Sequence, residues 1–425
     1  MTSGVYRTVT DSLPVFIAGI FPVFAVVAPK SIVSVLVLTG VAGLYLAVRR
    51  GAWRELFPPV LALLIALTLI WMLFKSLTVF DGSLTIALWF RLTGLMLCGF
   101  GALWLFRNLP DGNKRRVHNA LIAGIVISLA ILLLAVVALH FDLPGLPNPD
   151  HPDPLVHFSS GQMIVSMLSA LALSVLLARR RPISAIFLIS GTLVIFLPMS
   201  SFIAIVALLL AAIGLVFGGI LPRPALNAIA AILAIIVLIT PIGVVSVPNN
   251  FAESKVLKES LKPFGFAKGL DRSVQHRLQI WKFVVDRAYE KKYTGWGLDA
   301  SRRLPGGNAL TSLGVSRLPL HPHNGILQVW LELGMPGLIL LSLLIGYVAL
   351  VRAKERSVSY AAAVRMGTIL PAITVGCLAF GVWQNWWVAS LWLTAALASS
   401  FTAPEDDEIG DLQRGGHRLA ARLGC

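Results

Sequence analysis

Charge is scarce in this chain, and negative charge scarcer still. Only 13% of its 425 residues are charged, with 20 Asp and Glu against 35 Lys and Arg. An ordinary soluble domain carries about a quarter, so a water-soluble globular protein is excluded. Cysteine is nearly absent, at Cys98, Cys377 and Cys425. Two of these fall inside apolar runs and the third is the last residue, so neither a disulfide framework nor a cysteine metal site is expected. No internal repeat and no nucleotide-binding motif is visible. The first apolar run lacks a strongly basic lead and an Ala-x-Ala exit, so it is expected to stay as a membrane span rather than be cleaved.

What the chain does have is apolar length. Hydrophobic residues make up 57% of it and the mean hydropathy is +0.82. A span takes about 20 apolar residues. Twelve runs qualify, at 13–29, 31–48, 57–74, 84–106, 117–140, 162–178, 182–198, 201–220, 224–247, 336–352, 362–382 and 385–402. The pairs within 13–48 and 182–220 leave almost no loop, so eleven or thirteen spans are also compatible with the pattern. The fold class is an all-α polytopic membrane protein. Its expected organisation is nine spans over 1–247, a polar loop region over 248–335, three spans over 336–402 and a tail over 403–425.

The basic residues alternate with the spans. Arg49, Arg50 and Arg54, then Arg107 and Lys114 to Arg116, then Arg179 to Arg181, then Arg352, Lys354 and Arg356 fall in every second loop. The loops between hold few. The positive-inside rule then puts both termini in the cytoplasm and the long loop on the outer side of a bacterial inner membrane. The rule accounts for the net charge of +15 without nucleic acid as a partner.

The loop 248–335 is not disordered by composition, since aromatic residues recur along it. Residues 273–291 read as a helix, with Ser273 as N-cap and Leu278, Trp281, Val285 and Ala288 on one apolar face. Residues 300–320 read as an irregular lid. Residues 323–333 read as a second short helix, which Gly334, Pro336 and Gly337 break before the next span. The region holds thirteen Lys and Arg against seven Asp and Glu. Such a cationic cap favours an anionic substrate such as a lipid pyrophosphate.

Chemistry concentrates at His321-Pro-His323-Asn324. A histidine exchanges protons near neutral pH, and at a helix start the dipole favours the neutral, basic form of His323. Asn324, Gln328 and Glu332 are four residues apart and share a helix face, where they could bind substrate or orient the ring. A pair of interfacial histidines with a capping asparagine is the plainer alternative. No third ligand lies close enough in sequence to make a metal pair. Arg277, one turn before Trp281, is a candidate phosphate clamp, with Arg272, Arg287, Arg302, Arg303 and Arg317 as further cations. Arg91 lies inside the fourth span, where a charge usually faces a cavity or a partner. In the loop 141–161, Asp142, Asp150, His151, Asp153 and His157 could suggest a metal, but the prolines among them favour a rigid turn. Neither metal nor cofactor is expected.

These features resemble the superfamily of O-antigen ligases and polymerases, bacterial envelope glycosyltransferases. The resemblance rests on the span layout, the large loop before the last three spans, Arg277 with Trp281, Gly295-Trp-Gly297, and His321-Pro-His323-Asn324 followed by Glu332-Leu-Gly334-Met-Pro-Gly337. It is closest to O-antigen ligase. It implies a GT-C-like, metal-independent, inverting enzyme. The donor would be a glycan on undecaprenyl pyrophosphate and the acceptor the lipid A–core oligosaccharide, both held in membrane lipid. It makes His323 the general base and Arg277 the pyrophosphate clamp, with His321, Asn324, Gln328 and Glu332 around the substrate. A polymerase would instead extend another lipid-linked repeat. One feature departs from the family pattern: Leu197-Pro-Met-Ser-Ser201-Phe lacks the arginine often found between spans 7 and 8. Arg91, Arg302 or Arg303 would have to substitute. A lipid or anion transporter is a further reading, but the polar mass gathered at one place argues against symmetric halves.

Overall fold

The computed structural model describes residues 8–78, 82–141, 154–199, 201–248, 251, 254–262, 270–350 and 358–401. The loop acids Asp142, Asp150 and Asp153, with His151, and the tail 403–425 lie outside the described residues. Among the described residues the chain is helical, with one isolated bridge between Leu310 and Ser316 and no β-strand. Nine helices precede the loop region: α1 Leu13–Val27, α2 Ile32–Arg49, α3 Pro59–Leu77, α4 Gly82–Arg107, α5 Asp111–His140, α6 Ser159–Ala178, α7 Pro182–Phe196, α8 Phe202–Ile220 and α9 Arg223–Val245. The loop region contributes α10 Lys255–Leu261 and α11 Leu270–Glu290. Helices α12 Gly325–Ala349, α13 Val358–Leu378 and α14 Asn385–Ser399 follow.

Each of the twelve apolar runs has its helix, and among the described residues ten helical segments are long and apolar enough to cross a bilayer. Helices α7 and α14 have 15 residues each, about 22 Å at 1.5 Å per residue. That is short of a hydrocarbon core of about 30 Å. The apolar runs at 182–198 and 385–402 reached spanning length only by counting residues beyond the helix ends.

The bundle is built around α6, 89% of whose apolar stretch is buried. The outer faces stay apolar. Ile183, Ile186 and Phe187 on α7 and Ile232, Ile235 and Ile239 on α9 are exposed. In water this would be a large aggregating patch; in a bilayer it is the lipid-facing surface. Between helices, small residues allow close approach. A Cβ on Gly214 or Gly218 of α8 would fall 2.5 Å from the main-chain oxygen of Met366 or Ala362 on α13.

In the loop region, α11 is amphipathic. Ile280, Val284, Val285 and Ala288 are fully buried, and they pack with Ile326, Leu327, Trp330 and Leu331 of α12. Each fully buried Ile or Val is worth about 1.5–3 kcal/mol. The buried stripe is rotated slightly from the one read in sequence, with Trp281 only partly buried and at its edge. The helix also starts three residues earlier than its expected cap. Ser273 lies inside the first turns, and its hydroxyl accepts from Arg277 Nη1 at 2.6 Å instead of capping.

Helix α12 is broken at Gly334, where φ is 67° and ψ −163°. Its first nine residues, Gly325 to Leu333, are all buried in the bundle. The break frees main-chain carbonyls that nothing in a membrane interior would satisfy. Three are taken up. Leu331 O accepts from Trp296 N at 2.8 Å, Glu332 O from Gly297 N at 2.9 Å, and Leu333 O from the indole of Trp71 at 2.8 Å. The two segments touch backbone to backbone there. A Cβ on Gly334 would lie 2.4 Å from Tyr293 O, and one on Gly295, also at positive φ, 2.3 Å from Glu332 O.

Gly334→Ala is therefore expected to destabilise the protein by at least about 1–3 kcal/mol from backbone strain alone, read as a lower thermal midpoint in detergent. Gly191→Ala on α7, where a Cβ meets nothing, should leave the midpoint unchanged or slightly raised.

Candidate active site

The site is assembled where the loop region meets the start of α12. Asn324 is the N-cap of that helix. Its Oδ1 accepts from Ile326 N and Leu327 N, both at 3.1 Å. Its side chain is thus committed to the helix end, which is the capping alternative noted from sequence. The cap also takes up two of the backbone N–H groups at the helix start, whose dipole was expected to act on His323.

His323 stands just before the cap with φ 51°, a left-handed conformation unusual outside glycine. Its ring Nδ1 lies 2.8 Å from Ala379 O, at the end of α13. A carbonyl only accepts, so Nδ1 carries the hydrogen and Nε2 keeps the lone pair. Burial is the main cause that pushes the His323 pKa below its ordinary value; the bond to Ala379 opposes it, and the charges of Arg277 and His276 add to it. The ring is half-buried and accessible.

His321 is more deeply placed. Its Nδ1 accepts from His323 N at 3.3 Å, and the two rings sit 4.4 Å apart, edge to face. Burial, then the His323 ring and Arg302, push its pKa down to about 3, so it stays neutral. It packs on Gly381, where a Cβ would come within 3.1 Å of the ring. From the other side Trp281 of α11 donates its indole N–H to Pro322 O at 2.9 Å. That bond fixes the histidine turn to the loop helix and gives Trp281 a role that helical spacing alone did not assign.

Gln328 and Glu332 do share a face, but they are turned toward the protein. Glu332 is fully buried. Its carboxyl oxygens accept from Asp299 N at 2.6 Å, Ser301 Oγ at 2.5 Å, Gln328 Nε2 at 3.1 Å and Trp383 Nε1 at 2.5 Å. Gln328 Oε1 accepts from Val382 N at 2.9 Å. Both residues hold the chain's own segments together. Sequence reasoning missed Ser301, Trp383 and the Ala379 carbonyl. The only local signal was the polar Gln384-Asn385 pair flanked by tryptophans in an otherwise apolar stretch.

Arg277 is partly buried, and its guanidinium is incompletely satisfied. Nη1 donates to Ser273, while the buried Nε has no partner. Burial lowers its pKa, yet an arginine remains a cation. A partly buried, half-paired guanidinium close enough to His323 to act on its charge has the chemistry to bind an anion. The other cations are placed differently. Arg272 is exposed and reaches Leu313 O at 3.4 Å. Arg302 is exposed and paired with Asp299 at 2.9 Å. Arg303 is exposed on the same short turn. Arg91 is exposed on α4 and does not line the cavity described next, so it does not face the interior space expected of it. The segment Leu197–Phe202, which lacks the arginine of the family pattern, has Met199 buried with its sulfur 2.9 Å from Gln162 Nε2.

Directly beneath the half-helix lies a cavity of about 2330 Å³. Gly325, Ile326, Val329, Leu333, Val382 and Trp383 wall its upper end. Among the described residues no three His, Cys, Asp or Glu side chains are grouped to hold a metal ion. The arrangement presents a neutral imidazole with an available lone pair, a nearby guanidinium, and an apolar space in the membrane below. It can accept a proton from a hydroxyl beside a bound anion.

Residues 185–342 match the family model described as O-Antigen ligase. Over 131 residues the chain is 36% identical to a Rickettsia conorii protein named "Putative polysaccharide ligase RC0486", covering 28% of this chain and 30% of that protein. A similarly named protein of Rickettsia prowazekii is 35% identical over 126 residues, covering 28% of this chain and 31% of the relative. The chain thus matches under a third of the length of these relatives.

Removing the Glu332 carboxyl strands several buried donors. Glu332→Ala is expected to cost on the order of 3–5 kcal/mol and Glu332→Gln about 1–3 kcal/mol. Thermal unfolding in detergent should rank wild type above Gln above Ala. An Ala variant as stable as wild type would remove this network from the account.

Proposed function

We infer that this membrane protein, whose residues 185–342 match the O-Antigen ligase family model, is a polyprenyl-pyrophosphate-dependent glycosyltransferase. It moves an O-antigen glycan from undecaprenyl pyrophosphate to the lipid A–core oligosaccharide. It sits in a bacterial inner membrane with the loop region periplasmic and both termini cytoplasmic, a topology supported by the alternation of basic loops.

The observation that carries the reading is the bond from His323 Nδ1 to Ala379 O. It leaves Nε2 as the proton acceptor. In the proposed reaction Nε2 takes the proton of an acceptor sugar hydroxyl. The hydroxyl oxygen forms a bond to the anomeric carbon from the face opposite the leaving group, and the bond from that carbon to the pyrophosphate oxygen breaks. The configuration inverts, and undecaprenyl pyrophosphate departs with the bonding electrons. Arg277 stabilises the charge gathering on that pyrophosphate. The apolar upper part of the cavity suits a polyprenyl chain, and its wall at Gly325, two residues beyond His323, would let two lipid-anchored substrates meet near the imidazole. His321 shapes the turn that presents His323, and Gln328 and Glu332 position it.

His323→Ala is expected to lower transfer at least about 10²-fold, the usual size of a general-base contribution, with the protein still inserted. Because the His323 pKa is lowered, the base is already deprotonated at pH 7. Activity should hold as pH falls to 6.5 and drop only as pH falls through the depressed value. An acid limb centred above 6.5 would argue against His323. Transfer by the purified protein should survive EDTA; loss restored by magnesium would shift attention to Asp150 and Asp153. In a deletion strain, bare lipid A–core with long glycans accumulating on the carrier is the expected result. Core capped by a single repeat would mean a polymerase, and an unchanged lipopolysaccharide ladder would overturn both.

A further inference from the structure

The cavity does not stop beneath the half-helix Gly325–Leu333. It continues through the bundle to the membrane face opposite the loop region. There α4, α5, α13 and the α6–α7 turn bring Arg107, Lys114, Arg115, Arg179, Arg181 and Arg365 to its lining. Asp111 is the one acid among the described residues that line the cavity, and it pairs with Lys114 at 2.8 Å. Arg179 donates to Asn119 Oδ1 at 2.6 Å, and it lies close enough to Arg115 and Arg181 that their charges add to the effect of burial in pushing its pKa down. The positive-inside rule puts basic residues into loops on one side of a membrane. It does not require them to converge on the mouth of one cavity.

Deeper in, the cavity carries a second polar signal. Thr394 of α14 is 4% exposed and is one of the residues along the cavity wall, and its buried hydroxyl has no hydrogen-bond partner in the protein. A threonine within a helix ordinarily bonds the carbonyl one turn back. Thr39, Thr68, Thr192 and Thr368 all do so here, whereas Thr394 does not. Further up the walls become apolar, with Leu69, Met72, Met96, Val329, Leu341 and Ile345. A cationic mouth, one polar group inside it and an apolar interior together match an anionic amphiphile. A soluble anion would use the mouth and leave the apolar walls unoccupied.

We propose that this inner mouth is a binding site for an anionic phospholipid of the leaflet opposite the loop region. Arg115, Arg179 and Arg181 hold its phosphate, Thr394 donates to an ester oxygen, and its acyl chains enter the cavity. The site is separate from the histidine turn, so its occupancy is read without any transfer reaction.

The test is native mass spectrometry of the full chain released from micelles containing equal amounts of phosphatidylglycerol and phosphatidylcholine. Wild type is expected to retain phosphatidylglycerol at least about tenfold over phosphatidylcholine, since each basic side chain contributes appreciably to binding an anionic lipid. The preference should disappear in a variant carrying Arg115→Gln, Arg179→Gln and Arg181→Gln, and persist when the same three residues become Lys. Thr394→Val should weaken retention of both lipids. If the triple Gln variant does not fold, Arg115→Gln and Thr394→Val carry the test singly. Equal retention of the two lipids by wild type overturns the proposal, as does a preference that survives loss of the arginines. Displacement of the bound lipid by excess inorganic phosphate would make the mouth a soluble-anion site and overturn the proposal as well.

Discussion

A carboxyl group with no exposure to solvent must have its oxygens hydrogen-bonded by the protein, and the position of Glu332 turns that requirement into a geometry. Its partners come from three parts of the chain: Asp299 and Ser301 in the loop region, Gln328 on its own helix, and Trp383 before α14. Meeting them all brings the loop region, the half-helix and the α13–α14 junction to one point. Gln328 extends the linkage to Val382 N, three residues beyond the carbonyl that holds the His323 ring. The imidazole of His323 and its acceptor at Ala379 are therefore placed by the same buried cluster, although neither touches Glu332.

The membrane imposes a second constraint on the same few residues. A helix may break inside a bundle only if the freed main-chain groups find partners. The Gly295-Trp296-Gly297 segment answers that need, since two of its backbone N–H groups occupy carbonyls of the last turn before Gly334. The glycines on both sides let the backbones come that close. The resemblance drew on Gly295-Trp-Gly297 and Glu332-Leu-Gly334 as separate motifs. In space they are the two halves of one joint.

The parts of the fold carried by local pattern were legible in the sequence. Apolar runs located every helix of the membrane block, because burial in lipid needs only length and composition. The helix over the 270s and 280s followed from its periodicity, and the short helix ending at Gly334 followed from its punctuation. What local pattern does not encode was missed or misassigned. Ser273 has the chemistry of a cap but lies within the helix, where Arg277 claims it. Glu332 and Gln328 look like a substrate-facing pair, because nothing nearby in the chain announces Ser301 or Trp383, 31 and 51 residues distant. Arg91 follows the rule that intramembrane charges face inward, yet it is exposed. Nothing in the structure explains that placement.

The partner that sets the protonation of His323 is a main-chain oxygen, not an acidic side chain. Such an acceptor carries no formal charge, so it orients the ring without turning the imidazole into the strongly basic member of a charged dyad. It is also indifferent to which residue occupies position 379. Sequence drift there leaves the ring's tautomer untouched, while an insertion or deletion in α13 would rotate the carbonyl away. The orientation of the His323 ring is thus encoded in the length of a transmembrane helix, a quantity that the bilayer itself holds nearly constant.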